Sequence, residues 1–506
     1  MHETATPLLP VASTAAPTTV RTAFSPSPIG PPSIGLIRAA VVNWALARHH
    51  GGRFVLRIED TDAATGMAEY YRPLTEVLEW LGLDWDEGPG VGGLHGPYLQ
   101  SERREIHLAA ARKLFEAGEL YESFSTREEI EARNHAAGRP LTAGYDNGDR
   151  EVSARRRASY RAEGRTPVLR MRMPDEEVVF DDLVRGRIVF PPGHTPDPVM
   201  VRANGAPLFA LANTLDNATM GITHSLRGDD LLSSVPRQLA VYAALKRLGI
   251  TTHIPRLGHI SPVLDARGKK LSRAVPDAEV LSYRARGFLP EAMVNYLASI
   301  GWSHSASGSV FTRRELIEDY DAGRMRAHPV RLDVARLTEI NAAHLRRLSI
   351  SDYGAALLPH VIRTGALPPE PDEAQRALLC GAAALVQRSA KTLTEAAEAV
   401  AFLFFPDDAV FDRAGAGEPA VGIDHEALRV LADLLEGLAD WTPESVGRCL
   451  RTGLGEQSRP ALGALRVALT GRPVAPLLYE TLALLGRARS LRRIRHALDA
   501  PPPSPR

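Results

Sequence analysis

Cysteine is scarce in this sequence, and that scarcity bounds the class of protein. Cys380 and Cys449 are the only cysteines in 506 residues, which argues against a disulfide framework and fits a reducing compartment. Long apolar runs are missing as well, since no stretch approaches the roughly 20 apolar residues of a membrane-spanning helix. We therefore expect a cytoplasmic protein with no membrane partner.

The sequence also carries no formal net charge. Acidic and basic residues balance at 60 each, so the overall charge points to no polyanionic partner, although a local basic face remains compatible with it. Lysine is rare, because arginine supplies all but five of the basic residues. Two of those five, Lys269 and Lys270, are adjacent. In so lysine-poor a chain, this pair indicates a function for its position.

What is present is a βαβ unit near the start of the chain. The pattern predicts a strand over Val20–Phe24 and, after a turn rich in proline and glycine, a helix over Ile34–His50. Ser33 is the expected N-cap, and a second strand is predicted over Arg53–Ile58. Two strands joined by one crossover helix pair in parallel. The turn after the first strand then lies where such sheets bind nucleotides.

The residues of this unit form a long, ordered motif. It comprises Phe24, Pro26, Ser27, Pro28, Gly30, Ile34, Gly35, Arg38, Asn43, Trp44 and Leu56–Asp62. The motif resembles the signature region of class I glutamyl-tRNA synthetases, R-F-A-P-S-P-T-G-x-L-H-x-G followed by a helix and F-x-L-R-I-E-D-T-D. Gly268–Arg273 resembles the G-K-K-L-S-K loop of the same family. The resemblance covers about residues 20–498.

The resemblance implies an α/β fold, with a class I synthetase Rossmann-type catalytic domain followed by an all-α anticodon-binding region. Basic residues grouped in Arg487–Arg495 are the expected tRNA contact of that region. The expected organisation is a disordered tail over 1–19, the first half of the catalytic domain over 20–119, an acceptor-end-binding insertion over 120–196, the second half over 197–278, a stem-contact region over 279–332, the helical anticodon-binding region over 333–498 and a tail over 499–506.

One version of the family holds a zinc ion in the insertion, and its cysteines are absent here. The family pattern Y-x-C-F-C-T corresponds to Tyr121–Thr126, in which Ser123 and Ser125 occupy the cysteine positions. The later pattern Y-D-x-x-C-R corresponds to Y-D-N-G-D-R over Tyr145–Arg150. Hydroxyls are poor substitutes for zinc-binding thiolates. We therefore expect no structural zinc.

The resemblance implies an ATP site built from both signature stretches. Lys269 and Lys270, with Arg273 in place of a family lysine, would neutralise charge that develops on the phosphates. Ser33 stands where the family has a histidine, and both a phosphate contact and a pure capping role remain open for it. The catalytic candidates are Lys269, Lys270, Arg273 and Ser33, and the ATP-binding candidates are Pro28, Gly30, Ser33, Gly35, Lys270, Leu271, Ser272 and Arg273.

The resemblance implies an amino-acid pocket, and two of its positions differ here from the family pattern. Ser27 and Glu59 match residues that position the substrate backbone, and Arg227 matches an arginine that faces the substrate carboxylate. Ala23 replaces an arginine that pairs with the glutamate side chain, and Phe209 replaces a neighbouring tyrosine. A charge-assisted contact is thereby lost, unless nearby arginines compensate. The amino-acid-binding candidates are Ala23, Ser27, Glu59, Phe209, Asn213 and Arg227.

These features favour one function and leave two alternatives. The favoured function is ATP-dependent activation of glutamate to an adenylate and its transfer to the 3′ end of tRNA, by a monomer that uses Mg²⁺ with ATP. The first alternative is a diverged paralogue that activates another amino acid or uses another acceptor, as the departures at Ala23, Ser33, Phe209, Arg273 and Ala274 suggest. The second is a non-catalytic tRNA-binding protein.

Overall fold

The computed structural model describes residues 19–27, 30–60, 68–272, 275–305, 308–410, 425–454, 458–473 and 477–499. They divide into an amino-terminal unit, Met1–Leu281 with Val294–Asp333, and a carboxy-terminal unit, Ser282–Met293 with Val334–Arg506. Of the two predicted tails, all but residues 19 and 499 lie outside the described residues. None of the helices in the described ranges has the length and hydropathy that a membrane span requires.

The predicted βαβ unit is confirmed. Strand β1 (Arg21–Phe24) leads into helix α1 (Ile34–His49), and strand β2 (Arg53–Leu56) pairs with β1 in parallel, Ala23 lying opposite Val55. The helix forms because apolar residues recur along it at helical spacing and are buried. These buried apolar residues are Ile34, Ile37, Ala40, Val41, Val42, Trp44, Ala45, Leu46 and Ala47.

The segment that follows β2 carries helices and two antiparallel sheets. Its elements are α2 (Ala68–Leu81), α3 (Arg104–Glu116), β3 (Leu120–Ser123), α4 (Arg127–Ala136), α5 (Ala154–Ala162), β4 (Val168–Met171), β5 (Val178–Asp182), β6 (Gly186–Phe190) and β7 (Val199–Val201). Strands β3, β4 and β7 form one sheet in the order β3-β4-β7, and β5 and β6 form a hairpin. The hairpin becomes important below because it reaches the central sheet.

A buried carboxylate joins the two segments that carry zinc cysteines in one version of the family. Asp149 accepts hydrogen bonds from the hydroxyls of Ser123 (2.8 Å) and Ser125 (2.7 Å) and from the amides of Phe124 (2.8 Å) and Ser125 (2.9 Å). Burial alone would raise the pKa of Asp149, but these hydrogen bonds hold it below its usual value. We call this arrangement the Asp149 hub. Among the described residues, no group of three or more side chains could hold a metal ion.

The central parallel sheet is completed by residues far along the chain. They form α6 (Phe209–Thr219), β8 (His224–Gly228), α7 (Val235–Arg247), β9 (Arg256–Ile260) and β10 (Val263–Leu264). The strand order is β2-β1-β8-β9, and each neighbouring pair is parallel. The carboxyl ends of all four strands therefore meet at one edge, which is where open α/β sheets bind ligands.

The remaining elements are mainly helical. They are α8 (Val280–Ala285), α9 (Pro290–Ser299), α10 (Arg313–Asp319), β11 (Val330–Arg331), α11 (Val334–Arg347), α12 (Ile350–Arg363), α13 (Glu373–Val386), α14 (Leu393–Val400), α15 (His425–Glu436), α16 (Pro443–Leu454), α17 (Ser458–Thr470), α18 (Leu478–Leu485) and α19 (Arg487–Asp499). Strand β11 pairs with β10 in the amino-terminal unit. The described part of the carboxy-terminal unit contains no strand.

The arginines of α19 are largely paired within the carboxy-terminal unit. Asp407 forms ion pairs with Arg489 (3.2 Å), Arg492 (3.0 Å) and Arg493 (2.8 Å). Arg495 pairs with a glutamate of α15 at 2.5 Å. The Arg493 side chain is fully buried, whereas that of Arg492 is 58% exposed. The basic group that we expected to contact tRNA is therefore in part a structural cluster.

Candidate active site

The carboxyl ends of the parallel strands open onto a cavity of about 550 Å³. Most of the residues predicted to bind ATP or the amino acid line it, namely Ala23, Ser27, Ser33, Gly35, Glu59, Phe209, Asn213, Arg227, Lys270 and Leu271. Others are not part of the lining, namely Gly30, Lys269 and Ser272. Pro28, Arg273 and Ala274 lie outside the described residues. The structure thus brings the two signature stretches to one cavity.

Glu59 enters the cavity just beyond β2 with one carboxylate oxygen engaged. Its Oε1 accepts hydrogen bonds from Asn213 Nδ2 (2.5 Å) and Arg57 Nη2 (3.5 Å). Its Oε2 has no hydrogen-bond partner in the part of the chain that the structure describes. Burial raises the pKa of this carboxyl, although Arg57 and Asn213 act to lower it. A carboxylate with a free oxygen suits a cationic ligand group such as an ammonium.

Two asparagines and a glutamine extend the network from Glu59. Asn213 and Asn217 lie one turn apart on α6, and Asn217 Nδ2 donates to Asn213 Oδ1 at 3.2 Å. Gln238 Nε2 donates to the same oxygen at 3.1 Å, while Asn217 Oδ1 accepts from Arg57 Nη1 at 2.9 Å. All three amides are buried. Each is therefore oriented by its partners, and the network links α6 to α7.

Arg227, near the end of β8, is held on two sides. Its Nη2 donates to Gln238 Oε1 at 2.6 Å, and its Nε donates to His259 Nε2 at 3.0 Å. The third nitrogen, Nη1, has no hydrogen-bond partner among the described residues, and Arg227 lines the cavity. Burial lowers the pKa of the guanidinium to about 10, so it remains charged at neutral pH. The cavity therefore contains a fixed cation with an open donor, which suits an anionic ligand group.

His259 is held from its other side by the hairpin β5–β6. Its Nδ1 lies 2.5 Å from Asp182 Oδ2, and both side chains are fully buried. Because an arginine can only donate, His259 Nε2 must accept from Arg227, which places the ring proton on Nδ1, facing Asp182. Burial lowers the pKa of His259, in keeping with a neutral ring. A continuous chain of hydrogen bonds thus runs from the hairpin to the cavity.

Ala23 brings no charge to the end of β1. It is 5% exposed and belongs to an apolar cluster. The neighbouring arginines are partly engaged, since Arg21 pairs with Glu87 at 2.7 Å and Arg57 donates to Asn217 at 2.9 Å. Arg21 Nη2 and Arg57 Nε are buried and have no hydrogen-bond partner among the described residues. Phe209, which also lines the cavity, adds no hydroxyl. This side of the cavity is therefore less polar than the resemblance alone implied.

The start of α1 combines a helix cap with open backbone. Ser33 Oγ accepts from the Leu36 amide at 3.4 Å, which confirms the predicted cap, and Ser33 also lines the cavity. A Cβ at Gly35 would have no atom within 4 Å, so the bare backbone there faces open space. The unpaired N–H groups of a first helical turn favour phosphate. This surface fits a nucleotide.

Lys270 lies on a short hairpin that borders the cavity. Its backbone pairs with Leu264, and its Nζ lies 3.5 Å from Asp230 Oδ2. Both side chains of this ion pair are more than half exposed, so the contact is weak and the ammonium can turn to another anion. Lys269 lies in the adjoining turn, where its amide donates to Asp265 at 2.9 Å. Of the two lysines, Lys270 is the one that lines the cavity.

Comparison with known proteins shows which family the chain belongs to. A model described as "tRNA synthetases class I (E and Q), catalytic domain" matches residues 19–339. The chain belongs to the class I tRNA synthetases. A second model, for an anticodon binding domain, matches residues 353–498. The predicted family and the predicted fold class, a class I synthetase catalytic domain followed by a helical anticodon-binding region, are confirmed.

The chain is similar over nearly its whole length to glutamate–tRNA ligases from bacteria. A glutamate–tRNA ligase from Saccharopolyspora erythraea is 50% identical over 484 residues, which cover 95% of this chain and 96% of the relative. One from Kineococcus radiotolerans is 48% identical over 485 residues, with 94% and 96% covered. The crystal structure of a glutamate tRNA ligase from Elizabethkingia meningosepticum, in complex with its amino acid, has a TM-score of 0.80 at 26% identity, with 95% and 99% covered.

Several residues that support the cavity residues were not predicted from the sequence. Asn217 and Gln238 hold the predicted residues in place, and so do His259 and Asp182. Asn217 carried a usable signal, because it lies one helical turn from Asn213. Asp182 carried none, because 77 positions separate it from His259 along the chain.

Proposed function

We propose that the protein is a glutamate–tRNA ligase. A glutamate carboxylate oxygen attacks the α-phosphorus of ATP and releases pyrophosphate, and a ribose hydroxyl at the 3′ end of tRNA then attacks the adenylate and releases AMP. The observation that carries the proposal is the meeting of Glu59, Arg227 and Lys270 at one cavity, in a chain 50% identical to a glutamate–tRNA ligase. Each of these charges suits one part of the reactants.

The amino acid would bind between the two held charges. Arg227 meets its α-carboxylate through the open Nη1, and Glu59 meets its ammonium through the free Oε2. Ser27 assists at the substrate backbone, and Asn213 fixes the carboxylate of Glu59. Alignment of this kind lowers the barrier without covalent work by the protein. The substrate side chain would then extend toward Ala23 and Phe209.

ATP would occupy the other end of the cavity. Lys270, joined by Lys269 and Arg273 when the hairpin closes, neutralises charge on the triphosphate, and Mg²⁺ arrives with the nucleotide. Ser33 donates from its hydroxyl to a phosphate while its oxygen caps α1. The nucleotide surface comprises Pro28, Gly30, Ser33, Gly35, Lys270, Leu271, Ser272 and Arg273.

The tRNA would be held by the anticodon-binding region that matches residues 353–498. The insertion over 120–196 would hold the acceptor end, and the region over 279–332 would contact the stem. We further propose that the enzyme acts as a monomer in the cytoplasm, where ATP, amino acids and tRNA are available.

A second candidate is a ligase that activates a different amino acid. The observation that favours it is the apolar environment of Ala23, which lines the cavity together with Phe209. A glutamate side-chain carboxylate in such surroundings would lose hydration without gaining an ion pair. This candidate shares every other step with the first.

The deciding experiment is amino-acid-dependent ATP–pyrophosphate exchange, measured with and without tRNA for each proteinogenic amino acid. Exchange that depends on glutamate supports the first candidate, and exchange that depends on another amino acid supports the second. Exchange with none of them, together with retained tRNA binding, would contradict both and identify a non-catalytic tRNA-binding protein.

A further inference from the structure

The hairpin β5–β6 contributes to the cavity without lining it. We propose that Asp182 and His259 are positioning residues, which hold the Arg227 guanidinium in the orientation that binds the amino-acid carboxylate. The inference rests on the proposed function, because it assigns Arg227 to that carboxylate. We call the three residues the Asp182–His259–Arg227 chain.

The chain has only one consistent pattern of donors and acceptors. Arg227 Nε donates to His259 Nε2 at 3.0 Å, and His259 Nδ1 then donates to Asp182 Oδ2 at 2.5 Å. The other oxygen, Asp182 Oδ1, accepts from the amides of His259 (3.1 Å), Val184 (2.9 Å) and Arg185 (2.9 Å). A carboxylate is an obligate acceptor, so it cannot accommodate the opposite histidine tautomer.

The opposite tautomer would disturb Arg227. A proton on His259 Nε2 would face the Nε proton of Arg227, and two donors would then oppose each other in a buried site. Gln238 would continue to hold Nη2, so the guanidinium would have to rotate about that contact. Nη1 would then leave the position in which it meets the ligand carboxylate. Asp182 prevents this outcome, although it does not itself touch the substrate.

The hairpin is seated closely enough to serve this purpose. The Leu183 amide donates to the Leu257 carbonyl at 2.9 Å, and Arg185 pairs with Asp229, a cavity residue, at 3.1 Å. At Gly258 a Cβ would clash with Leu226 Cδ2 on β8 and would lie 3.1 Å from the Leu183 Cβ. The glycine therefore permits the close approach that brings Asp182 to His259.

The kinetic test uses His259→Phe, His259→Gln and Asp182→Asn in the full-length protein. His259→Phe fills the site without an acceptor, and we expect it to raise the KM for the amino acid by about 10- to 100-fold, the equivalent of one lost charged hydrogen bond. The KM for ATP should change by less than about 2-fold, because Ser33 and Lys270, which we assign to ATP, have Leu36 and Asp230 as their partners and not Asp182, His259 or Arg227. His259→Gln supplies an amide oxygen to Arg227 and should recover most of the loss.

Asp182→Asn should raise the amino-acid KM about as much as His259→Phe, because the amide oxygen stays with the three backbone amides and the NH2 group then faces His259 Nδ1, which favours a proton on Nε2. The matched control is Val189→Ala, which shortens an exposed side chain on β6 of the same hairpin and should leave the KM for the amino acid unchanged. An unchanged KM in His259→Phe would overturn the proposal, as would an equal loss in His259→Gln and His259→Phe.

A second readout does not depend on catalysis. Spectra of protein labelled with ¹⁵N-histidine, assigned by comparison with His259→Gln, should show His259 protonated at Nδ1 and unprotonated at Nε2 at neutral pH. Asp182→Asn should move the proton to Nε2, because the asparagine NH2 group would donate to Nδ1. A proton on Nε2 in the wild type would overturn the proposal. If glutamate supports no exchange, the proposed function fails, and the KM series is then run with the amino acid that does support it.

Discussion

Glu59 and Arg227 both keep a charge available in the cavity because neutral amides stand between them. Asn213 donates to Glu59 and accepts from Gln238, and Gln238 accepts from Arg227. A direct ion pair would satisfy each charge with the other and leave less for a ligand. The amides instead orient both groups while separating them. An amino acid, with its ammonium and carboxylate, supplies the two partners that this arrangement leaves open.

Ala23 is the residue at which amino-acid selection can be tested. We expect Ala23→Arg to lower the KM for glutamate, because a guanidinium at this position can meet the side-chain carboxylate. The KM for ATP should stay the same. Ala23→Met is the matched control, since it adds a long side chain without charge and should give no such gain. A glutamate KM that is unchanged or raised in Ala23→Arg would contradict the assignment of Ala23 to the side-chain pocket.

A variant of Lys270 tests the proposed ATP site in the cavity. Its side chain is 66% exposed and its one ion pair is weak, so Lys270→Ala should change the free energy of unfolding by less than about 0.5 kcal/mol. Amino-acid-dependent exchange should nevertheless fall by at least about 100-fold, because a stabiliser of phosphate charge is lost. Lys246→Ala, which removes an exposed lysine from the last turn of α7, is the control. Full exchange activity in Lys270→Ala would remove this lysine from the catalytic assignment.

At the scale of elements, sequence analysis succeeded where the signal was local. Proline, glycine and apolar spacing indicated β1, α1 and β2, and Ser33 was correctly expected to cap α1. The cavity residues came from the resemblance. The β5 hairpin's contact with β9 was not foreseen, because Asp182 and His259 lie far apart in the chain. The role of Asp149 was missed for a related reason, since only the fold shows that both serines donate to it.

The Asp149 hub makes a prediction about pH and metal. Because the folded pKa of Asp149 lies below the usual 3.8, its stabilising effect is fully present above that value and is lost as pH falls through the folded pKa. At pH 7 we expect Asp149→Asn to cost about 2 kcal/mol of local stability, the scale of hydrogen bonds to a charged group. The difference from wild type should shrink below about pH 4.

Amide hydrogen exchange of the intact protein, read from a proteolytic fragment that contains Phe124 and Ser125, measures this loss of local stability. Asp181→Asn, which changes an exposed aspartate, is the control. Dialysis of the wild type against a chelator should leave the thermal midpoint unchanged, because hydrogen bonds and not a metal join these segments. A lower midpoint after dialysis, restored by zinc, would contradict that account.

For the whole molecule, the balance of acidic and basic residues does not show which arginines are buried in ion pairs and which are exposed. Counting residues over Arg487–Arg495 suggested one basic surface, yet Arg493 is fully buried against Asp407 while Arg492 and Arg495 are 58% and 61% exposed. Sequence cannot make this distinction, because the acidic partners, Asp407 in a turn and Glu436 at the end of α15, lie far from α19 in the chain. Only an exposed guanidinium can exchange its carboxylate for a phosphate without unfolding its surroundings.

The last prediction therefore separates tRNA contact from structural support. The double variant Arg492→Ala/Arg495→Ala should keep the thermal midpoint of the wild type and reduce the salt dependence of tRNA binding by up to about two ions, since each phosphate contact releases about one counterion. Arg493→Lys should have the opposite effects. It keeps the charge but loses the hydrogen bonds to Asp407 and to the Leu469 and Phe402 carbonyls. The thermal midpoint should therefore fall, while the salt dependence of tRNA binding should be unchanged. Titration of full-length protein with tRNA at several salt concentrations, beside thermal unfolding, measures both. An unchanged slope in the double variant would move the tRNA contact away from α19, and a stable Arg493→Lys protein with a reduced slope would show that the buried arginine had been misassigned.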